Sequence, residues 1–124
     1  MGRGYKNDTG HHHSIKENLP SLTSRFDYNN GYFGEKGYGR TFVRNISSDD
    51  PVKTAKEFYD KAACGGIERP MANGKGHYSK MKDGSILSYR EVSSSDGSPA
   101  VEINIKKSND HGGIKNQKIH FVKG

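Results

Sequence analysis

A single cysteine, Cys64, is the whole thiol content of the chain, so no internal disulfide can form. That usage suits a reducing compartment. No run is long and apolar enough to cross a membrane, and the N-terminus carries no signal-peptide pattern. If the protein acts outside its parent cell, something else must carry it. Hydrophobic residues are scarce, at 30% of 124 positions, and much of the apolar content follows Pro51. The length fits one domain with a small core, which would gain stability from a partner or ligand. Acidic residues are also in the minority, 14 against 20 Lys and Arg, for a formal charge of +6 and a pI of about 9.4. This excess favours a polyanion such as nucleic acid, or an acidic protein that covers a basic face.

The stretch from Ser85 to Val122 organises the rest. Three runs alternate apolar and polar residues, the pattern of a sheet with one face packed and one face wet. Val101, Ile103 and Ile105 share one face of the second run, with Glu102, Asn104 and Lys106 on the other. In the last run Ile119 and Phe121 oppose Lys118 and His120. His77 to Met81 reads as a preceding strand, and Lys82-Asp83-Gly84 as the hairpin turn after it. Before these strands, Asp50 and Pro51 start a helix whose stripe is Val52, Ala55, Phe58, Tyr59 and Ala62, ended by Gly65-Gly66. Cys64 reads as a small packing residue there. The expected fold class is α+β: an N-terminal helix or helices packed on a four-stranded antiparallel meander.

Residues 46–124 are expected to form the compact part, and residues 1–45 a flexible or loosely packed basic and aromatic segment. Ser14 to Leu22 reads as a short helical turn stopped by Pro20. From Arg25 to Arg44, aromatics interleave with basic residues, which can stack on bases and neutralise phosphates; for each ring alone the simpler expectation is that it folds the loop onto the sheet. His11-His12-His13 is a possible metal-binding run, a tag remnant or a polar turn. Adjacent histidines converge poorly on a metal, so no metal or other cofactor is expected.

The wet face carries a set suited to cutting RNA without a metal. The RNA's own 2'-hydroxyl is the nucleophile, so the enzyme supplies a base, an acid and a cation for the phosphorane. Histidine, with an unperturbed pKa of about 6.5, suits the proton transfers. His120 is the first candidate, expected to project from the wet face. Glu102 and Lys106 occupy the neighbouring strand, Lys118 shares the face of His120, and Arg90 or Tyr89 reaches the same area depending on register. Ser93, Ser94 and Ser95 at a strand end could bind phosphate oxygens. His77, after the basic Gly74-Lys75-Gly76, is the second histidine candidate, while His111 reads as surface. For any one of these residues an ordinary solvated sheet face is the simpler account.

The helix from Pro51 to Ala63, the strands from Met81 to Val122, the run Tyr89 to Ile105 and the closing Gln117-Lys118-Ile119-His120-Phe121-Val122 resemble the toxic C-terminal domains of bacterial polymorphic and contact-dependent growth inhibition toxins. In particular they look like the ribonucleases grouped as barnase, EndoU, colicin and RelE-like (the BECR fold). The likeness covers roughly the last seventy residues and rests on architecture, not on a diagnostic motif. It implies a metal-independent ribonuclease that cuts tRNA or rRNA in the cytoplasm of a target bacterium. It also implies delivery as part of a larger secreted protein and an acidic immunity protein over the active face. A barnase-like set maps to Glu102, Arg90 and His120. An EndoU-like set maps to His77, His120, Lys106 or Lys118, and Ser94. The main rival is a non-catalytic basic RNA- or ribosome-binding domain. A metal-dependent nuclease using His11 to His13 would be stopped by a chelator. A deaminase lacks its Cys-x-x-Cys zinc signature, and no nicotinamide motif supports an ADP-ribosyl transferase.

Overall fold

The structure, a computed structural model, describes residues 13–92 and 97–124. Ser14 opens the first helix, α1 (Ile15–Thr23), with a capping box. Its hydroxyl accepts from the Glu17 N–H, and the Glu17 carboxylate accepts from the Ser14 N–H at 2.8 Å. Pro20, predicted to stop this helix, instead lies inside it. The hydrogen bond it removes is that of the Lys16 carbonyl, at an exposed residue, while Ile15 and Leu22 hold both ends of the helix in the core. A small hairpin follows, β1 (Tyr28–Asn29) and β2 (Tyr32–Phe33). Its two turn residues, Asn30 and Gly31, have φ of 56° and 88°, the left-handed pair that a tight hairpin requires.

The remaining elements are β3 (Glu35–Lys36), β4 (Val43–Ser48), α2 (Pro51–Ala62), β5 (Ile67–Pro70), β6 (Gly76–Lys80), β7 (Ile86–Arg90), β8 (Ala100–Asn104) and β9 (Gln117–Lys123). They build one seven-stranded sheet in the order β3-β4-β9-β8-β7-β6-β5. Every pairing is antiparallel except β4 with β9, which is parallel. The expected four-stranded meander is therefore corrected to a seven-stranded mixed sheet with a separate two-stranded one. The four strands read from alternation are present as β6 to β9. The sequence reading missed β5, whose Ile67-Glu68-Arg69-Pro70 is a proline-ended edge, and β4, whose Val43-Arg44-Asn45-Ile46-Ser47-Ser48 has no apolar face of its own. The ladder of β4 with β9 joins Val43 to Lys118 across a long loop of chain, a contact that local pattern does not reveal.

Helix α2 forms with the expected stripe. Ala55, Phe58, Tyr59 and Ala62 are buried, and the Asp50 carboxylate accepts from the Lys53 N–H. Phe58 is the hub of the core: its ring lies 5.1 Å from Phe26, 5.0 Å from Phe33 and 5.7 Å from Phe121. Burying each such ring contributes roughly 1.5–3 kcal/mol. Residues 13–45, expected to be flexible or loosely packed, thus supply Ile15, Leu22, Phe26 and Phe33 to the core; residues 1–12, with His11 and His12, lie outside the described part. Cys64, expected to pack, is exposed, because the chain has already left the helix there.

Buried polar groups tie the N-terminal elements down. The Asn18 amide donates to the Ala62 and Cys64 carbonyls at the end of α2, and its oxygen meets His13 Nδ1 at 2.8 Å. Gln117 accepts from the Phe33 N–H and donates to the Gly31 carbonyl. Asp83, in the predicted hairpin turn, accepts from the Ile15 N–H and from the Ser85 and Ser108 hydroxyls. Each such bond contributes about 1 kcal/mol, and leaving any of these groups buried and unpaired would cost more. Among the described residues no helix is long and apolar enough to cross a membrane.

Candidate functional site on the open sheet face

Side chains alternate across the sheet, so contacts with α2 identify both faces. Phe121 touches Phe58, and His77 and Tyr89 touch Tyr59; these residues face the helix. Their strand neighbours His120, Tyr78 and Arg90 face away. Among the described residues no helix packs on that second face.

Strand register sets two rows across the open face. One runs Gly76, Arg90, Ala100, His120, Asn45. The next runs Arg69, Tyr78, Ser88, Glu102, Lys118, Val43. The Phe121 N–H donates to the Pro99 carbonyl at 2.9 Å, beside the Ala100–His120 pair. That makes Ala100–His120 a non-hydrogen-bonded pair, and Glu102–Lys118, two residues on, another; side chains are closest in such pairs. Arg90, Glu102, Lys118 and His120 therefore converge on one patch.

Arg90 and His120 are two strands apart, about 9.5 Å between backbones. Only the methyl of Ala100 stands between them. The row is covered at this point, with Ala100 3% and His120 5% exposed. Arg90 is half-buried, and its Nε has no hydrogen-bond acceptor. A buried donor without an acceptor is unusual and costly; an anionic oxygen that reaches Arg90 would satisfy it. Gly76, opposite Arg90, comes so close to the next strand that a Cβ there would sit 2.1 Å from the Tyr89 carbonyl oxygen. Only glycine fits at that position.

His120 was expected to project into water. It lies on the expected face but is only 5% exposed. The connection from β7 to β8 brings Ser98 against it, with Oγ 3.0 Å from Nδ1. The sequence signal for Ser98 is a hydroxyl just before the candidate strand that begins at Ala100.

The other sequence candidates separate from this patch. His77 and Tyr89 stack on each other on the helix-packed face, with ring centroids 5.6 Å apart. An EndoU-like pairing of His77 with His120 is thus not assembled, because the two rings lie on opposite faces and three strands apart. Lys106 lies in the turn beyond β8, at the end away from His120. Ser93, Ser94 and Ser95 lie outside the described residues. Around His77, the Tyr59 hydroxyl meets Ser79 Oγ at 2.6 Å, and burial pushes the Tyr59 phenol well above its ordinary range, the nearby Glu68 adding to the rise. Burial, then the charge of Glu91, raises Tyr89 as well, and its hydroxyl has no hydrogen-bond partner. These are features of a packed interior.

A cleft of about 640 Å³ opens beside β4 and the start of α2, touching the open face at Asn45 and Val122. Arg25, Lys36 and Lys53 line it, but so do Asp27, Glu35, Asp49, Asp50 and Glu57. Arg25 is bound to Glu57 at 2.8 Å, so the cleft is a poor host for a polyanion. Among the described residues no three His, Cys, Asp or Glu side chains converge to hold a metal ion. Comparison of the chain with known protein families, curated proteins and solved structures finds no match to any of them.

Proposed function

We propose that this protein is a metal-independent endoribonuclease that cuts RNA by attack of the 2'-hydroxyl on the adjacent phosphorus. The observation that carries the reading is the Arg90 Nε, buried without an acceptor, in one row with His120 across the small Ala100. Glu102, exposed in the next row, takes the 2'-hydroxyl proton. The 2'-oxygen bonds to phosphorus, Arg90 and Lys118 balance the charge of the phosphorane, and the bond to the 5'-oxygen breaks. His120 gives that oxygen its proton. The products are a 2',3'-cyclic phosphate and a free 5'-hydroxyl. Half-buried on the sheet, the Arg90 guanidinium interacts more strongly with the phosphorane than it would free in water.

The basic charge and the resemblance to toxin ribonucleases support tRNA or rRNA as the substrate, an acidic immunity protein as the partner that covers this face, and action in the cytoplasm of a target bacterium after delivery within a larger protein. A second reading is favoured by the burial of His120: a non-catalytic RNA-binding face in which that ring is structural.

Incubating the protein with total bacterial RNA in EDTA, beside His120→Ala and His120→Gln, separates the two on a denaturing gel. Discrete fragments ending in cyclic phosphate with the parent, and none with either variant, support the ribonuclease. Intact RNA in every lane, with RNA still bound, gives the face to the binding reading.

A further inference from the structure

We infer that the open face takes single-stranded RNA and that Tyr78, flanked by Arg69, is the platform on which an unpaired base stacks beside the scissile phosphate. The inference rests on the ribonuclease reading for its substrate, and on separate residues for its geometry. Tyr78 projects from the middle of β6 on the open face and is half-buried. Tyr59 and Tyr89 stack within the core, Tyr28 on Phe33, and Tyr32 beneath Arg44. Tyr78 has no such ring contact and no side-chain hydrogen bond among the described residues. Tyr38, also without one, is 98% exposed in a loop and has no strand to fix it.

The neighbours of Tyr78 suit a nucleotide. Ser88 on one side is small, and Arg69 on the other is an exposed cation at the sheet edge. Arg90 is its diagonal neighbour, about 7–8 Å away between backbones. Gly76, which shares Tyr78's strand and face, places no side chain between the ring and Arg90. A phosphate held at Arg90 therefore puts an adjacent base over the Tyr78 ring, and the next phosphate within reach of Arg69. On strands β5 to β9 the face carries Arg69, Lys80, Arg90 and Lys118 against the lone acid Glu102, a charge balance suited to a polyanion. A base can stack on a ring only when its own face is open, so this geometry selects unpaired RNA over duplex.

The test uses a short fluorescent 2'-O-methyl oligoribonucleotide, which lacks the nucleophile and is not cut, as a single strand and annealed to its complement. Anisotropy at fixed salt gives Kd for the parent, Tyr78→Phe, Tyr78→Leu and Arg69→Gln, with unchanged urea midpoints as the folding control. Tyr78→Leu is expected to weaken single-strand binding about tenfold and Tyr78→Phe less than about twofold, with duplex binding weak and unmoved by either. Arg69→Gln is expected to weaken binding less than Tyr78→Leu and to lower its salt dependence. Equal losses on duplex and single strand, or no loss with Tyr78→Leu, overturn the inference. Selective single-strand binding without cleavage of ordinary RNA would remove the ribonuclease reading alone; cleavage with a KM indifferent to Tyr78→Leu would remove the stacking site alone.

Discussion

The two faces of the seven-stranded sheet are made by the same alternating strands, yet they hold their polar groups in opposite ways. The face under α2 closes around Phe58, and its polar members are mostly absorbed: Tyr59 into Ser79, His77 into the Tyr89 stack. The other face has no helix over it, and there Arg90 keeps an unmet donor while Glu102 makes no ion pair with Lys118 directly opposite. A polar residue on the packed face serves the fold. On the open face Arg90 Nε and Glu102 have no such partner among the described residues, while His120 is held by Ser98.

The largest effect expected from breaking this contrast is on the open face. Arg90→Ala should lower the cleavage rate by about a hundredfold or more, as loss of a preorganised donor to a developing oxyanion does, with little change in the urea midpoint. On the packed face Phe58→Ala should cost about 3–5 kcal/mol of stability, read from urea unfolding, because the cavity opens among three other rings. Asp83→Ala should cost about 2 kcal/mol by stranding the Ile15 N–H and two hydroxyls.

The smallest effects concern two buried tyrosines. Tyr59→Phe should cost about 1 kcal/mol at neutral pH by leaving Ser79 unpaired, whereas Tyr89→Phe, which removes a hydroxyl without a partner, should be neutral or slightly stabilising. Raised phenol ionisation makes the unfolded chain lose its proton first, near the ordinary value of 10.0, so stability is full below that pH and falls as pH rises above it. Alkaline unfolding curves should show a shallower fall for Tyr59→Phe.

The strands β6 to β9 and helix α2 were legible because each carries its own period, two in the strands and near 3.6 in the Val52 to Ala62 stripe. The placing of Glu102, Lys118 and His120 on one face followed from alternation alone. Register was not legible. It decides that Arg90, and not Tyr89, looks outward, and it sends His77 to the other side. Neither could the sequence show β4, which lacks an apolar face and pairs in parallel with a distant strand. That Phe26 and Phe33 pack is the simpler expectation for each ring, but their partners, Phe58 on α2 and Gln117 on β9, were not legible from a Gly-rich loop. Ser98 and Tyr78 sat in plain view, but their significance depends on what the fold sets beside them.

Cleavage of single-stranded RNA in EDTA by His120→Ala and by His77→Ala, measured side by side on folded protein, tests the division between the faces most directly. The account predicts a loss of about a hundredfold or more for His120→Ala and a rate within about threefold of the parent for His77→Ala, whose ring is part of a packed stack. A loss confined to His77→Ala, or equal losses in both, would contradict it.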